Sequence, residues 1–387
     1  MELPQAPSPQ PSDESSANAA GSPDEQSTRQ PAKKACCTPQ GRAAQNSTGT
    51  QSPTVPGNKP AGQGSNLAQT CEQVTLASRI SHANTGSTDD MALIPAGEFR
   101  MGTQSEMAWD DDGEGPIRSV KMDAYYIDTA CVTNDQYENF VNDTGYVTDA
   151  HKFGWSFVFR GLLAKKFAQT LEKKNAVVGL TWWIGVPGAC WNKPEGHKSN
   201  LKGKGDHPVA HITWNDAMAY CAWAGKRLPT EAQWEYAARG GLDQAIYPWG
   251  DNLTPMGKHK CNIWQGKFPE TNTAEDGYVG TSPAKAYAAN GHGLFNVSGN
   301  VWEWTADWFS PKWHQAESPE TRINPIGPAD LPVEPGKASV QTHKVQKGGS
   351  FLCHISYCNR YRVAARTANT PDSSSSNAGF RCVRDVD

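Results

Sequence analysis

The sequence predicts a single α+β domain with little regular secondary structure over residues 89–387, preceded by a disordered tail, residues 1–88. Three observations carry this expectation. Every Phe, Trp and Tyr, including 14 tryptophans, lies beyond residue 90, while ten of the 27 prolines fall between Pro4 and Pro60. Only a few segments show capped helical periodicity. The stretches 247–310 and 345–387 are dense in Gly, Asn, Asp and Trp, a composition of turns and long ordered loops. A Pro-, Ser-, Gln- and Ala-rich segment without aromatics buries too little apolar area to offset its ordering entropy. The roughly 300 residues that remain suffice for one large core.

The elements follow in chain order. MALIPAGEFRMG, residues 91–102, reads as a hairpin of short strands interrupted at Pro95. Val120–Asp128 is a further strand candidate with partial alternation. Thr133 and Gln136 form a capping box that opens a helix near 134–142, with Tyr137, Phe140 and Val141 on one face. Residues 214–225 are Ala-rich, begin Trp-Asn-Asp and end at Gly225, which suits a left-handed cap. After a turn at Lys226–Pro229, a second capping box, Thr230 with Gln233, opens a helix through Trp234, Tyr236 and Ala238 to Gly240-Gly241. Long loops inside a compact domain need fastening, by aromatic packing or by bound metal.

Bulk properties exclude several functions. Lys and Arg number 36 against 40 Asp and Glu, a net charge of -4, so there is no basic field to drive nucleic-acid binding. No apolar run approaches the ~20 residues of a membrane span. The first residues, MELPQAPSPQPSDESS, carry neither a basic start nor an apolar core, so no signal peptide is recognised. A cytoplasmic location is therefore expected, with a secretory compartment as the alternative, and a monomer. The ten cysteines are too sparse for a disulfide scaffold and lack zinc-finger spacing. His207 and His211 are four apart, but Pro208 argues against a helix that would bring them together, and strand-edge packing is favoured over a metal.

Three motifs carry a resemblance. GKRLPTEAQWEYAARGG (225–241), NGHGLFNVSGNVWEWTADW (290–308) and KGGSFLCHISYCNRYRVAARTANTPDSSSSNAGFRC (347–382) resemble the formylglycine-generating enzyme family, the sulfatase-modifying factors. The likeness runs in order from Met91 to Asp387. It implies a divergent C-type-lectin-like fold with few regular elements. It also implies an oxidoreductase that binds an unfolded sulfatase segment, Cys-x-Pro-x-Arg, and oxidises its cysteine to Cα-formylglycine. Molecular oxygen is then the oxidant and copper(I) the cofactor. A non-catalytic sulfatase-binding paralogue of the same fold is the alternative, and the paralogues lack the cysteine pair of the third motif. Iron-dependent sulfoxide synthases share the first two motifs, but they need an upstream histidine-bearing domain that a tail with one histidine, His82, cannot supply.

From spacing alone, Cys353 and Cys358 read as a local disulfide or as two inert buried thiols. Within the resemblance they become the copper ligands and catalytic pair. Copper(I) is a soft ion that prefers thiolate and accepts two-coordinate geometry, leaving room for the substrate sulfur. Ser350 matches a catalytic serine near the oxygen site, Trp302 an aromatic lining the pocket, and Arg366 and Asn377 positions near the substrate groove. His354 and Tyr357 flank the pair as weaker candidates. Two calcium ions are implied. One maps onto Asn262, Ile263, Asp276 and Tyr278, the other onto Asn296, Gly299, Val301 and Glu303, sets of hard oxygens suited to calcium. Read alone, Asp276-Gly277 is an ordinary turn. Cys221 and Cys382 match a family disulfide, and Ala237 and Val363 stand where a second one would be. Cys131, Cys190 and Cys261 are left as buried thiols. Cys36 and Cys37, in ACCTPQGRAA, resemble a cysteine-bearing extension of secretory relatives or are two exposed tail thiols.

Overall fold

In a computed structural model of the chain, the described residues are Pro39, 85–328 and 343–387. The readings made of the rest of the tail, Cys36 and Cys37 included, lie outside them. The described residues fall within one compact unit, Ala35–Asp387. Folded structure reaches back past residue 89, because the Gly86 amide donates to the Gly225 carbonyl at 3.1 Å. Pro39, inside the stretch expected to be a disordered tail, is buried.

The strands are short: β1 (Met91–Ile94), β2 (Gly97–Met101), β3 (Arg118–Met122), β4 (Tyr125–Asp128), β5 (Trp155–Phe159), β6 (Ala176–Val177), β7 (Leu180–Pro187), β8 (Gly266–Lys267), β9 (Thr271–Asn272), β10 (Trp302–Trp308), β11 (Lys344–Lys347), β12 (Arg366–Asn369), β13 (Ala378–Gly379) and β14 (Val383–Asp385). The helices are α1 (Asn134–Thr144), α2 (Asp149–Phe153), α3 (Lys165–Asn175), α4 (Trp214–Trp223), α5 (Glu231–Arg239) and α6 (Pro319–Arg322). The result is a mixed α/β body with few helices.

The capped helices form where local chemistry demands them. At α1 the Gln136 amide donates to Thr133 Oγ1 while Thr133 N donates to Gln136 Oε1, and Tyr137 and Phe140 are buried one turn apart. At α5 Thr230 and Gln233 make the same reciprocal pair, and Gly240 ends the helix at φ 59°. At α4 the cap is Thr213, paired with Asp216, two residues ahead of the expected Asn-Asp start.

The hairpin expected at 91–102 does not form. β1 pairs with β4, and β14 joins the other edge of β4, whereas β2 pairs with β3. Pro95 and Ala96 pass the chain between two sheets instead of turning it back on itself. The Val120–Asp128 candidate is likewise divided between β3 and β4.

The sheet that matters for the site is β12-β11-β10-β13, with β13 parallel to β10 and the other pairs antiparallel. Its strand β10 carries Trp302 and Trp304, both fully buried. A second sheet, β5-β7-β6, leans on this region through Phe157, whose amide and carbonyl bond Ser374 and Ser376. Between the two lies an apolar cluster that includes Phe159, Trp183, Trp264, Trp302 and Tyr361 with Cys353 and Cys358.

Candidate active site

Cys353 and Cys358 are both fully buried, and their Sγ atoms stand 3.3 Å apart. A tight turn makes this possible. The Cys353 amide donates to the Ser350 carbonyl at 2.9 Å, and the Cys358 amide to the His354 carbonyl at 2.7 Å, so the five-residue interval folds back on itself. Gly349 precedes the turn at φ 73°, a left-handed value that costs a residue with a Cβ about 1–2 kcal/mol.

Ser350 is fully buried and its amide lies 3.4 Å from Cys353 Sγ. Its Oγ accepts from Leu352 N at 3.3 Å and from Asn377 Nδ2 at 3.0 Å. Asn377 Oδ1 accepts in turn from Ser375 Oγ at 2.8 Å, and the Asn377 carbonyl accepts from Trp302 N at 2.8 Å. With two bonds accepted, the Ser350 hydroxyl keeps its own proton to donate elsewhere. Trp302 is fully buried and its Nε1 is an unpaired donor. Ser350, Cys353, Cys358, Trp302 and Asn377 therefore form one constellation.

Arg366 stands apart from it. Its guanidinium pairs with Glu231 (Nη2 to Oε2, 2.8 Å), donates from Nη1 to the Asp112 and Ser310 carbonyls, and lies over the Phe309 ring. With 2% exposure it ties β12 to α5 and does not join the cysteine constellation. His354 bonds Ser356 at the surface.

Sequence reading named Trp302 and Tyr357 but missed Phe268 and Trp182. Phe268 stacks on Tyr357 at 4.5 Å between centroids, and Trp182 meets both rings edge-on at 5.4 Å. It also missed Arg360, whose Nη1 lies 3.9 Å from Cys358 Sγ while Nε pairs with Asp112. Burial, the leading influence on Asp112, raises its carboxyl above the usual range against the opposing pull of Arg360. The signal was the Arg-x-Arg run just after Cys358, but nothing local told which arginine faces the sulfur.

The loops assigned to calcium brace the cysteine turn directly. Trp264 N donates to the Cys353 carbonyl at 3.0 Å, Phe351 N to the Asn300 carbonyl at 2.9 Å, Gly299 N to the Gly348 carbonyl at 2.8 Å, and Asn300 N to the Asn262 carbonyl at 2.8 Å. Gly299 sits at φ 75°, and a side chain there would collide with the Asn262 carbonyl. In the first set the structure brings the residues together. Asp276 accepts from Ile263 N and Tyr278 N, both at 3.0 Å, and the buried Asn262 Oδ1 has no hydrogen-bond partner. Asp276 Oδ2 also accepts from Gln265 Nε2 at 2.9 Å. An orphaned amide oxygen and a carboxylate are hard donors of the kind calcium takes. The second set fits less well. The Glu303 carboxylate already accepts from Arg381 Nε at 2.6 Å, Arg381 Nη2 at 2.8 Å and Trp234 Nε1 at 2.7 Å. A calcium there would share an acid that has a full-strength counter-ion.

Among the other cysteines, Cys221 and Cys382 bring their Sγ atoms to 3.3 Å as thiols. Cys131, Cys190 and Cys261 are buried free thiols as expected, with burial the main reason each is harder to ionise. Ala237 and Val363 sit in one apolar cluster with Trp234. His207 and His211 bond Thr281 and Ser156 respectively, so they do not converge. Among the described residues no three His, Cys, Asp or Glu side chains group as a metal site, and no helix is long and apolar enough to cross a membrane.

Known proteins resemble this chain in fold and in sequence. The structure of PvdO from Pseudomonas aeruginosa matches with a TM-score of 0.52 at 22% identity, covering 76% of this chain and 94% of that one, which establishes a common fold. A formylglycine-generating enzyme from Thermomonospora curvata is 58% identical over 295 residues, 76% of this chain and 93% of the relative. One from Bos taurus is 53% identical over 76% of this chain and 74% of the relative. The inactive C-alpha-formylglycine-generating enzyme 2 of Bos taurus is 41% identical over 80% and 92%. The family described as the sulfatase-modifying factor enzyme 1-like domain matches residues 77–386, and this chain belongs to it.

Proposed function

We propose that this chain activates sulfatases by formylglycine generation, oxidising the cysteine of a Cys-x-Pro-x-Arg segment in an unfolded sulfatase with molecular oxygen. The observation that carries the reading is the approach of two buried sulfurs to 3.3 Å, with Cys353 Sγ 3.4 Å from the Ser350 amide. Two thiols in an aromatic shell are a soft donor set, suited to copper(I) held by Cys353 and Cys358. Copper so bound would supply a third position for the substrate sulfur and the redox chemistry with oxygen.

The chain's own residues do the rest. The turn at Ser350–Cys353 fixes the sulfurs before substrate arrives, so orientation is supplied by the fold. Asn377 holds the Ser350 hydroxyl so that its proton is presented to the reacting end of the substrate. Arg360 stabilises negative charge at Cys358 Sγ. Trp302 and the aromatic walls exclude water, which strengthens each of these interactions. A calcium ion at Asn262 and Asp276 would stiffen the loop whose Trp264 amide bonds Cys353. The fold is a divergent relative of the C-type lectin fold.

The test reconstitutes the protein with copper(I) and supplies oxygen and a peptide containing Cys-x-Pro-x-Arg. Mass spectrometry should find the aldehyde product for the wild type and none for Cys358→Ser. Peptide binding without product in the wild type would favour an inactive sulfatase-binding protein, and normal turnover by Cys358→Ser would remove the pair from the mechanism.

A further inference from the structure

A single loop, outside all three motifs, grips the residues that follow Cys358. Between residues 107 and 114 the Met107 carbonyl accepts from Asn359 Nδ2 at 3.0 Å, and Trp109 Nε1 donates to Asn359 Oδ1 at 2.5 Å. The Trp109 ring lies against the Arg360 guanidinium at 4.3 Å, and the Asp112 carboxylate accepts from Arg360 Nε. Glu114 takes both ends of Arg362, at 2.6 Å and 2.7 Å, and the Asp112 carbonyl accepts from Arg366 Nη1 at 3.1 Å. These ties span 248 to 254 residues of sequence. The loop's own turn sets their places. Asp112 N donates to the Trp109 carbonyl at 3.0 Å, and Gly113, at φ 64°, passes so close to Pro311 that a Cβ would collide with its carbonyl.

Arg360 stands where the loop meets the sulfurs. It is 5% exposed, and while its Nε is held by Asp112, its Nη1 lies 3.9 Å from Cys358 Sγ. A long arginine side chain has much rotamer freedom, so its planar fork is aimed only when both the plane and one nitrogen are fixed. Trp109 fixes the plane and Asp112 the nitrogen. The aim matters because two thiolates around a monovalent cation carry a net negative charge, and a buried charge is costly unless it is paired. Asp112 has two effects of opposite sign. Its oxygen orients Arg360, whereas its negative charge lies close enough to act against one on Cys358.

We propose that Trp109 and Asp112 are positioning residues of the cysteine site. They aim Arg360 at Cys358 Sγ, where its guanidinium supplies the counter-charge for a copper(I) ion held by Cys353 and Cys358. The inference rests on the copper reading above and adds to it a loop 248 to 254 residues away in sequence.

The experiment measures the copper(I) affinity of the full chain, anaerobically, by competition with the chromogenic chelator bicinchoninate, beside the melting temperature of each metal-free protein. Arg360→Gln should weaken binding at least about 30-fold. Arg360→Lys, which keeps the charge, should recover most of that loss. Trp109→Leu should weaken binding about 3- to 10-fold. Asp112→Asn keeps an acceptor for Arg360 Nε and removes the opposing charge, so it should bind at least as tightly as the wild type. Wild-type affinity in both Arg360→Gln and Trp109→Leu overturns the positioning role and leaves the copper reading standing. So does a loss that tracks the metal-free melting temperature, with lysine no better than glutamine. Should Arg360→Gln fail to fold, the opposite signs expected of Trp109→Leu and Asp112→Asn decide the matter. If the wild type takes no copper(I) from the chelator, the copper reading fails and the positioning role falls with it.

Discussion

His211 should make the stability of this protein depend on acid in a way that one substitution can expose. The side chain is fully buried, its Nδ1 lies 2.8 Å from Ser156 Oγ, and its amide donates to the Ser375 carbonyl, two residues from Asn377. Burial pushes its pKa down to about 3 from the ordinary 6.5, with a minor contribution in the same direction from Lys204. The folded state therefore keeps it neutral where the unfolded state takes up a proton. Its contribution is fully present above pH 6.5 and is lost as pH falls below that value toward the folded pKa. Between pH 7 and pH 5 the loss is about 2 kcal/mol, nearly independent of where below 4 the folded value sits. Wild-type stability need not show this slope. Asp216 and Asp307, raised by burial to about 6 and about 7, together outweigh it in the opposite direction. For such acids the stabilising proton is bound at low pH and lost as pH rises. The perturbation is His211→Asn, which tolerates the left-handed φ of 61° and removes the titration. Urea unfolding at pH 7 and pH 5 reads the result. The variant should lose a roughly constant amount at pH 7 and then gain about 2 kcal/mol relative to wild type on going to pH 5. Parallel curves for the two proteins would refute a buried neutral imidazole.

Three further outcomes are expected. Millimolar calcium should raise the melting temperature of the wild type by about 5 °C, corresponding to about 2.7 kcal/mol at a hundredfold excess over Kd. Asn262→Leu, which deletes the orphaned oxygen, should abolish that response in differential scanning fluorimetry. Arg381→Met should cost about 3–5 kcal/mol in urea unfolding, because it leaves Glu303 buried without a counter-charge, and adding Glu303→Gln should recover part of the loss. Under oxidising conditions, closing Cys221 to Cys382 should add roughly 4 to 5 kcal/mol in the chain-entropy model, and Cys221→Ala should remove the difference between oxidised and reduced protein.

The helices were legible because their signals are local. Thr133 with Gln136, and Thr230 with Gln233, satisfy each other within four residues, so no distant partner is needed to specify the ends. β10 was not legible. Burial on both faces makes Trp302–Thr305 uniformly hidden, and the alternation that marks a half-buried strand is absent. Arg366 carried a plausible assignment from its motif, yet a guanidinium's role depends on which carboxylate lies opposite, and Glu231 is 135 residues away.

Three dense motifs are enough to mark the family, and the two cysteines of the third are legible as a soft donor pair, because chemistry is carried by residue type. How those sulfurs are held follows from packing. Trp264 reaches the Cys353 carbonyl, Asn300 the Phe351 amide and Asn377 the Ser350 hydroxyl, each through a hydrogen bond to a residue far along the chain. Likewise Pro39 finds Asn369 across 330 residues. Hydrogen bonds of that separation leave no periodic trace in a chain, since their partners are chosen by packing and not by spacing.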